Sequence, residues 1–358
     1  MSKSDSTPPS QADYVYQKHI LQGVSRTFAL TIPQLPAALS GVISNAYLLC
    51  RIADTIEDDK DLAFEQKKLF SDRFINVVAA KEDAQAFARE LHPLLSPDSS
   101  ADERDLIDNS AAVIRITHEF NPRQRQALER CVRIMSEGMA RYQETNVKNG
   151  LSDQADMDNY CYHVAGVVGE MLTELFCNYS EEMNQHNEQM MSLAVSFGQG
   201  LQMTNILKDI WEDQGREMCW LPRDVFEKQG LDLSRLHEGK QTPGFDAALQ
   251  QLIGLAHTHL ENALRYTLLI PAHEVGIRRF CLWALGMAVL TLRKINNNKA
   301  FNAGKQVKIS RRSVKATILF TNLFTRHDAL LSLLFKVAGY GLPKEKLADN
   351  FMRTRNEN

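Results

Sequence analysis

Apolar residues recur at three- and four-residue spacing along nearly the whole chain, in stretches rich in Ala, Leu, Met, Glu and Gln. Alternating Val, Ile and Thr runs of the kind that make strands are few. The spacing predicts helices with one buried stripe, at about 13–22, 40–59, 62–80, 84–92, 103–119, 122–148, 155–178, 187–214, 245–269, 273–297 and 311–338. Breaks fall at "TIPQLP", "HPLLSPDSS", "NVKNGLSD", "LPRD", "EGKQTPGF" and "NNNKAFNAGKQ", all bearing Pro or Gly. No change of composition or long linker marks a boundary. The expectation is one all-α domain over 13–345, with a disordered tail at 1–12 and a polar tail at 346–358.

Two of these helices end in acids. Asp54, Glu57 and Asp58 follow the apolar run "NAYLLC", with Asp59 next, and Asp209, Glu212 and Asp213 repeat the D-x-x-E-D spacing in "NILKDIWEDQGR". Positions i, i+3 and i+4 share a helix face, so each triplet crowds one side. Like charges at that spacing cost a helix roughly 0.2–0.5 kcal/mol per pair. One such triplet alone reads most simply as a solvated face.

The neighbours extend each triplet into a polar track: Tyr47, Arg51, Asp54 and Asp58 in the first, Gln202, Asn205, Asp209 and Asp213 in the second. The other faces of both helices are apolar, and unpaired buried charge is heavily penalised. Together the pair suits hard cations. Mg²⁺ prefers oxygen ligands, keeps several waters and is shared between one or two carboxylates and substrate phosphates. A calcium loop lacks its D-x-D-x-D-G signature, and a di-iron site lacks E-x-x-H.

Composition narrows the partners. Apolar residues make up 44% and charged residues 24%, and 41 basic against 44 acidic residues give −3. That balance argues against a nucleic-acid binder relying on a broad basic surface. The six cysteines are scattered without a C-x-x-C pair, which suits a reducing cytoplasm. His257 and His259 are two apart and point to different sides of a helix. The start "MSKSDSTPPSQ" lacks the apolar core of a signal peptide, and no uncharged apolar run of about 18 residues is present.

A bound cation implies a polyanion, and Arg26, Arg51, Lys208, Arg216 and Arg223 lie near the acids in sequence. Each alone reads more simply as a surface cation than as a phosphate ligand. No Walker loop is present, and "FGQGLQ" is a lone G-x-G inside a helix. In "YCYHVAGVVGEM", Ala165, Gly166 and Gly169 give one helix a thin surface, open to another helix or to a long ligand.

These stretches resemble the squalene/phytoene synthase family, the head-to-head prenyl synthases. The resemblance runs over about residues 15–312, on "SRTFAL", "YLLCRIADTIEDD", "YCYHVAGVVGE" and "QMTNILKDIWEDQGREMCWLP", in the family's order. It implies the isoprenoid synthase fold, a helical bundle around a deep apolar cavity with the acidic motifs facing each other at its mouth. By the same resemblance Asp54, Glu57, Asp58, Asn205, Asp209, Glu212 and Asp213 hold Mg²⁺. Ser25, Arg26, Phe28, Arg51, Gln202, Lys208 and Arg216 meet the prenyl diphosphate. Tyr47, Tyr160 and Phe280 serve the reaction centres, Tyr160 as a candidate for proton handling.

The later segment is more like the squalene-forming members. Phe280–Cys281, Asn296–Asn297 and "VKI" at 307–309 match their pattern, which implies NADPH held near Asn296, Asn297, Lys308 and Arg311. Ser310 stands where those members have a basic residue, and the turn before "VKI" is longer. The implied activity is condensation of two farnesyl diphosphates to presqualene diphosphate, then reduction to squalene. Alternatives are phytoene or dehydrosqualene synthesis without the reduction, or a catalytically silent assembly factor. The expected location is the cytoplasm, with peripheral contact on the inner membrane face. Residues 329–338, "ALLSLLFKVA", form either a core helix or one that lies against lipid with Lys336 toward the headgroups.

Overall fold

A computed structural model describes residues 8–25, 27–144, 147–239 and 242–347. The described residues are all-α; their one β feature is an isolated bridge between Leu151 and Pro222. Helices of eight or more residues are α1 (Gln11–Val24), α2 (Ala37–Asp58), α3 (Phe64–Val78), α4 (Ala84–Leu91), α5 (Ala101–Asp108), α6 (Ser110–Glu119) and α7 (Pro122–Glu144). They continue as α8 (Gln154–Cys161), α9 (Val167–Tyr179), α10 (Asn187–Gln214), α11 (Pro243–Leu269), α12 (Val275–Asn297), α13 (Arg311–Phe324) and α14 (Asp328–Ala338). The chain divides into two compact units, residues 1–145 with 174–184, and 146–173 with 185–358.

In the first unit α2 is the core helix. Val42, Ala46, Leu48, Leu49, Ile52 and Ile56 are buried along it, and Asn45 is fully buried among them. A buried amide must be paired, and Asn45 is. Its Oδ1 accepts from Gln17 Nε2 at 2.9 Å, and its Nδ2 donates to Val113 O at 3.1 Å and Thr117 Oγ1 at 2.6 Å. This one side chain therefore fixes the register of α1, α2 and α6. Helix α1 starts at Gln11, capped by Ser10 in a capping box with Asp13, so residues 11 and 12 of the tail expected over 1–12 are helical. The helix expected over 103–119 is two, because Asn109 leaves helical geometry (φ −101°, ψ 18°) between α5 and α6.

In the second unit α10 and α11 pack along each other. The helix expected over 155–178 is interrupted by a π-turn at Tyr162–Gly166. Here the glycines have their use. A Cβ on Gly169 would come within 2.1 Å of Ala194 O, and one on Gly198 within 2.1 Å of Ala165 O. The thin surface serves helix-to-helix contact between this segment and α10.

Helix α12 is long and apolar enough to cross a membrane by length and composition, with 61% of its apolar window buried inside the protein. The helix expected over 311–338 is broken at 325–327, giving α13 and α14. Buried Arg278 of α12 holds this corner, donating to Thr325 O at 3.0 Å, Asp328 Oδ1 at 2.6 Å and Ile270 O at 2.8 Å. Only Thr321 is buried on α13, and only Leu331 and Phe335 on α14. The core reading of 329–338 thus holds for one stripe alone.

Candidate active site

The first acidic motif closes α2. Asp54 and Glu57 are half-buried and Asp58 is exposed. Burial pushes the Asp54 carboxyl up to about 7; Arg51 opposes the rise, and Asp58 and Glu103 add to it. Glu57 moves the same way, by burial and then by Asp58 and Asp54. Acids gathered this closely resist ionising together, and a cation reverses that penalty.

Asp59, one residue on, is different. It is buried, and its carboxylate accepts from the amides of Asp61 (2.9 Å), Leu62 (3.1 Å) and Ser96 (2.8 Å) and from Ser99 Oγ (3.0 Å). Four donors satisfy it where it stands. Asp59 anchors the loop that follows α2.

Arg51 lies one turn before Asp54. Its guanidinium donates to Tyr47 Oη at 3.1 Å, and Tyr47 donates in turn to Val24 O at 2.9 Å. Glu103 faces Arg51 at 3.7 Å. Phe28 packs against the Tyr47 ring with centroids 5.2 Å apart. Ser25 is buried, and its Oγ accepts from the Phe28 amide at 3.0 Å, shaping the short turn that presents Phe28. The first unit therefore brings together Ser25, Phe28, Tyr47, Arg51 and the acids. Arg26 lies outside the described residues.

Sequence reasoning missed the supports of this cluster. Lys67 and Gln143 both donate to the carbonyl of Glu57, Gln143 at 2.7 Å. They fasten the last turn of α2 from α3 and α7. The Lys67 ammonium is held below its usual range by burial, against the pull of Glu57, Asp58 and Asp59.

The second motif closes α10. Asp209 and Asp213 are half-buried, while Asn205 and Glu212 are exposed. Lys208 Nζ lies 3.0 Å from Asp209 Oδ2 and 3.4 Å from Asn205 Oδ1. Gln202 sits half-buried on the same stripe, a turn before Asn205. Arg216 is exposed just past the helix, its amide donating to Asp213 O at 2.9 Å. Arg223 instead reaches Leu151 O at 3.4 Å from its Nε.

A contact unforeseen in the sequence completes this half. The loop after α12 returns to the acids, where the Gly304 amide donates to Glu212 Oε1 at 2.8 Å. Phe301 of that loop is buried against Trp211, with ring centroids 6.5 Å apart.

Tyr160, at the end of α8, is buried and stacks flat on Trp220, with centroids 4.0 Å apart and planes 7° off parallel. Phe280 is buried on α12. Asn296 Nδ2 donates to Gly341 O at 3.2 Å, while its Oδ1 is buried without a partner. Asn297, Lys308 and Arg311 are exposed. The orphaned Asn296 Oδ1 is an acceptor that a donor group of a polar cofactor such as NADPH would satisfy.

Among the described residues, no three His, Cys, Asp or Glu side chains converge enough to hold a metal ion unaided. Each acidic set offers carboxylate oxygens with a cation alongside, Arg51 in one and Lys208 in the other.

The chain matches the squalene/phytoene synthase family model over residues 21–313. It is 29% identical to the squalene synthase ERG9 of Gibberella zeae over 353 residues, covering 96% of this chain and 71% of that protein. It is 30% identical to the squalene synthase of Solanum lycopersicum over 283 residues, covering 78% and 64%. Among solved structures, a ligand complex of TcSQS superposes with a TM-score of 0.73 at 22% identity, covering 96% of each chain. A dehydrosqualene synthase complex gives 0.64 at 19% identity, covering 90% of this chain and 97% of that one. These likenesses establish the isoprenoid synthase helical fold. With the family model spanning most of its length, this chain belongs to the squalene/phytoene synthase family of prenyltransferases.

Proposed function

We propose that the protein is a squalene synthase. It would condense two farnesyl diphosphates head to head into presqualene diphosphate and reduce that to squalene. The observation that carries this reading is the pair of acid triplets, each ending a largely buried helix and each with a basic side chain beside it. The named squalene synthases among its relatives support the choice of product, as do Phe280–Cys281 and Asn296–Asn297.

Each residue has a part that its surroundings support. Asp54, Glu57 and Asp58 in one unit, and Asn205, Asp209, Glu212 and Asp213 in the other, would hold Mg²⁺ and orient diphosphate oxygens. Arg51 beside the first set, and Lys208 and Arg216 beside the second, would bind diphosphate oxygens directly, with Gln202 as a neutral donor in the second. When bound, Mg²⁺ would supply Lewis-acid stabilisation of the departing diphosphate, and NADPH the reducing equivalents. Tyr160, held flat by Trp220, presents its hydroxyl from a fixed ring, which suits proton removal at the first reaction centre. Phe28, Tyr47 and Phe280 would exclude water and turn π faces toward developing positive charge. Cytoplasmic action agrees with the six free thiols.

The test is incubation with farnesyl diphosphate and Mg²⁺, with and without NADPH, followed by identification of the hydrocarbon. Squalene that requires NADPH supports the reading. Dehydrosqualene or phytoene formed whether or not NADPH is present would replace it with a synthase lacking the reduction. No release of diphosphate at all would leave an assembly role.

A further inference from the structure

Large apolar side chains exposed to solvent are scattered singly over most of the chain, but seven of them fall within residues 319–340. On α13 these are Leu319 (64% exposed), Phe320 and Leu323 (64%). On and after α14 they are Leu330, Leu333 (56%), Val337 (59%) and Tyr340 (79%). The spacing is that of a helix face: 319 to 323 on α13, and 330, 333, 337 and 340 on α14. Both helices pack on α12 and expose a greasy stripe, with Arg278 fixing the corner between them. Clustering of this kind is unusual on a freely soluble surface and marks an interaction site.

Charge says what covers it. Residues 311–340 hold five basic side chains, Arg311, Arg312, Lys315, Arg326 and Lys336, against the single acid Asp328. Asp328 is already paired with Arg278. The five basic residues are all exposed. Arg312 and Lys315 precede Leu319 and Leu323 on one stripe of α13, and Arg326 follows it. Apolar stripes bracketed by cations, in a chain whose net charge is −3, match a bilayer with anionic headgroups. A second copy would bring the same cations face to face. Residues 348–358, "ADNFMRTRNEN", offer only Phe351 and Met352 as large apolar side chains, too few to cover seven.

We infer that α13 and α14 form a docking surface for an anionic phospholipid bilayer, with the leucines among the acyl chains and the arginines and lysines at the phosphates. The surface is independent of which hydrocarbon the enzyme makes.

Flotation of the full chain with vesicles tests this, using phosphatidylcholine alone and an equal mixture with phosphatidylglycerol. Each basic residue near an anionic surface is worth about fivefold in partition. The native protein should float with the mixed vesicles more than with neutral ones by about tenfold or more, and high salt should reverse it. Arg312→Gln/Lys315→Gln/Arg326→Gln should lose the preference for anionic lipid. Leu319→Ser/Leu323→Ser and Leu333→Ser/Val337→Ser should lose flotation while keeping native circular dichroism, since these side chains are exposed already. The inference is overturned if the native protein never floats, or if the serine variants float as well as it does. It is equally overturned if native protein sediments as a dimer that the serine variants dissolve, or floats only after removal of 348–358.

Discussion

The Gly304 amide donates to Glu212 Oε1 at 2.8 Å, which joins the loop after α12 to the second acidic motif 92 residues earlier in the chain. A side chain there would crowd the acids. A Cβ at Gly304 would lie 2.9 Å from Asp209 Oδ1 and 3.0 Å from Lys208 O. We expect Gly304→Ala to push the loop off Glu212 and weaken Mg²⁺ binding by about tenfold, the lower end of what loss of a ligand's supporting partner costs. Calorimetric Mg²⁺ titration reads this directly. Unchanged affinity would show that the contact plays no part in holding the acids.

Asp58 and Asp59 should respond oppositely to the same change. Asp58→Asn removes an exposed anionic oxygen and should cut turnover by a hundredfold or so, about the scale of other losses in electrostatic stabilisation, with little change in melting temperature. Asp59→Asn turns an NH₂ group toward backbone donors and should destabilise by about 2–4 kcal/mol, as leaving buried polar groups unsatisfied does. Thermal melting and turnover, measured side by side on both variants, decide it. Asp54→Asn and Asp209→Asn should behave as Asp58→Asn does.

Acid should weaken the second unit through His259. The ring is buried on α11, Ser196 Oγ lies 2.8 Å from its Nδ1, and burial lowers its pKa to about 3. The unfolded chain takes up a proton below about 6.5 while the folded one does not. Stability is therefore fully present above that pH and falls as pH drops from about 6.5 toward 3, by up to about 1.4 kcal/mol per pH unit. In His259→Gln, urea unfolding should show a shallower fall across that window. An identical slope in the two proteins would remove His259 from the acid response.

Phe280→Leu should separate the two halves of the proposed reaction. Leucine keeps most of the volume of this buried ring and loses its π face, so the fold should persist. Presqualene diphosphate should then accumulate, its consumption slowed about tenfold more than its formation, a difference of about 1.4 kcal/mol between the two barriers. Equal slowing of both steps would count Phe280 as packing only.

Much of this was legible in the sequence, and the misses have a common cause. Apolar spacing located α2 and α10 and the acids at their ends, because both depend on residues within a turn or two of each other. The difference between Asp58 and Asp59 was hidden, since it depends on Ser96 and Ser99, about 40 residues downstream. The break between α13 and α14 was passed over although Thr325, Arg326, His327 and Asp328 interrupt the apolar run there, because helical spacing resumes at once on the far side. What stabilises the turn is Arg278, 47 residues before Thr325. Gly304 gave no signal at all, as its role is a backbone amide and an absent side chain.

The π-turn at Tyr162–Gly166 makes the length of this segment consequential as well as its composition. A wider turn takes in one residue more than a regular helix would, and each residue advances a helix by about 100°. Tyr160 and Gly169 lie on either side of it, one stacked on Trp220 and the other pressed against Ala194. A deletion of one residue between them would leave a good helix in place of a widened one. It would also rotate Tyr160 out of phase with Gly169, so that the ring stack and the backbone contact could no longer form together. Besides the glycines that a side chain would force off α10, this stretch is thus intolerant of a change in count.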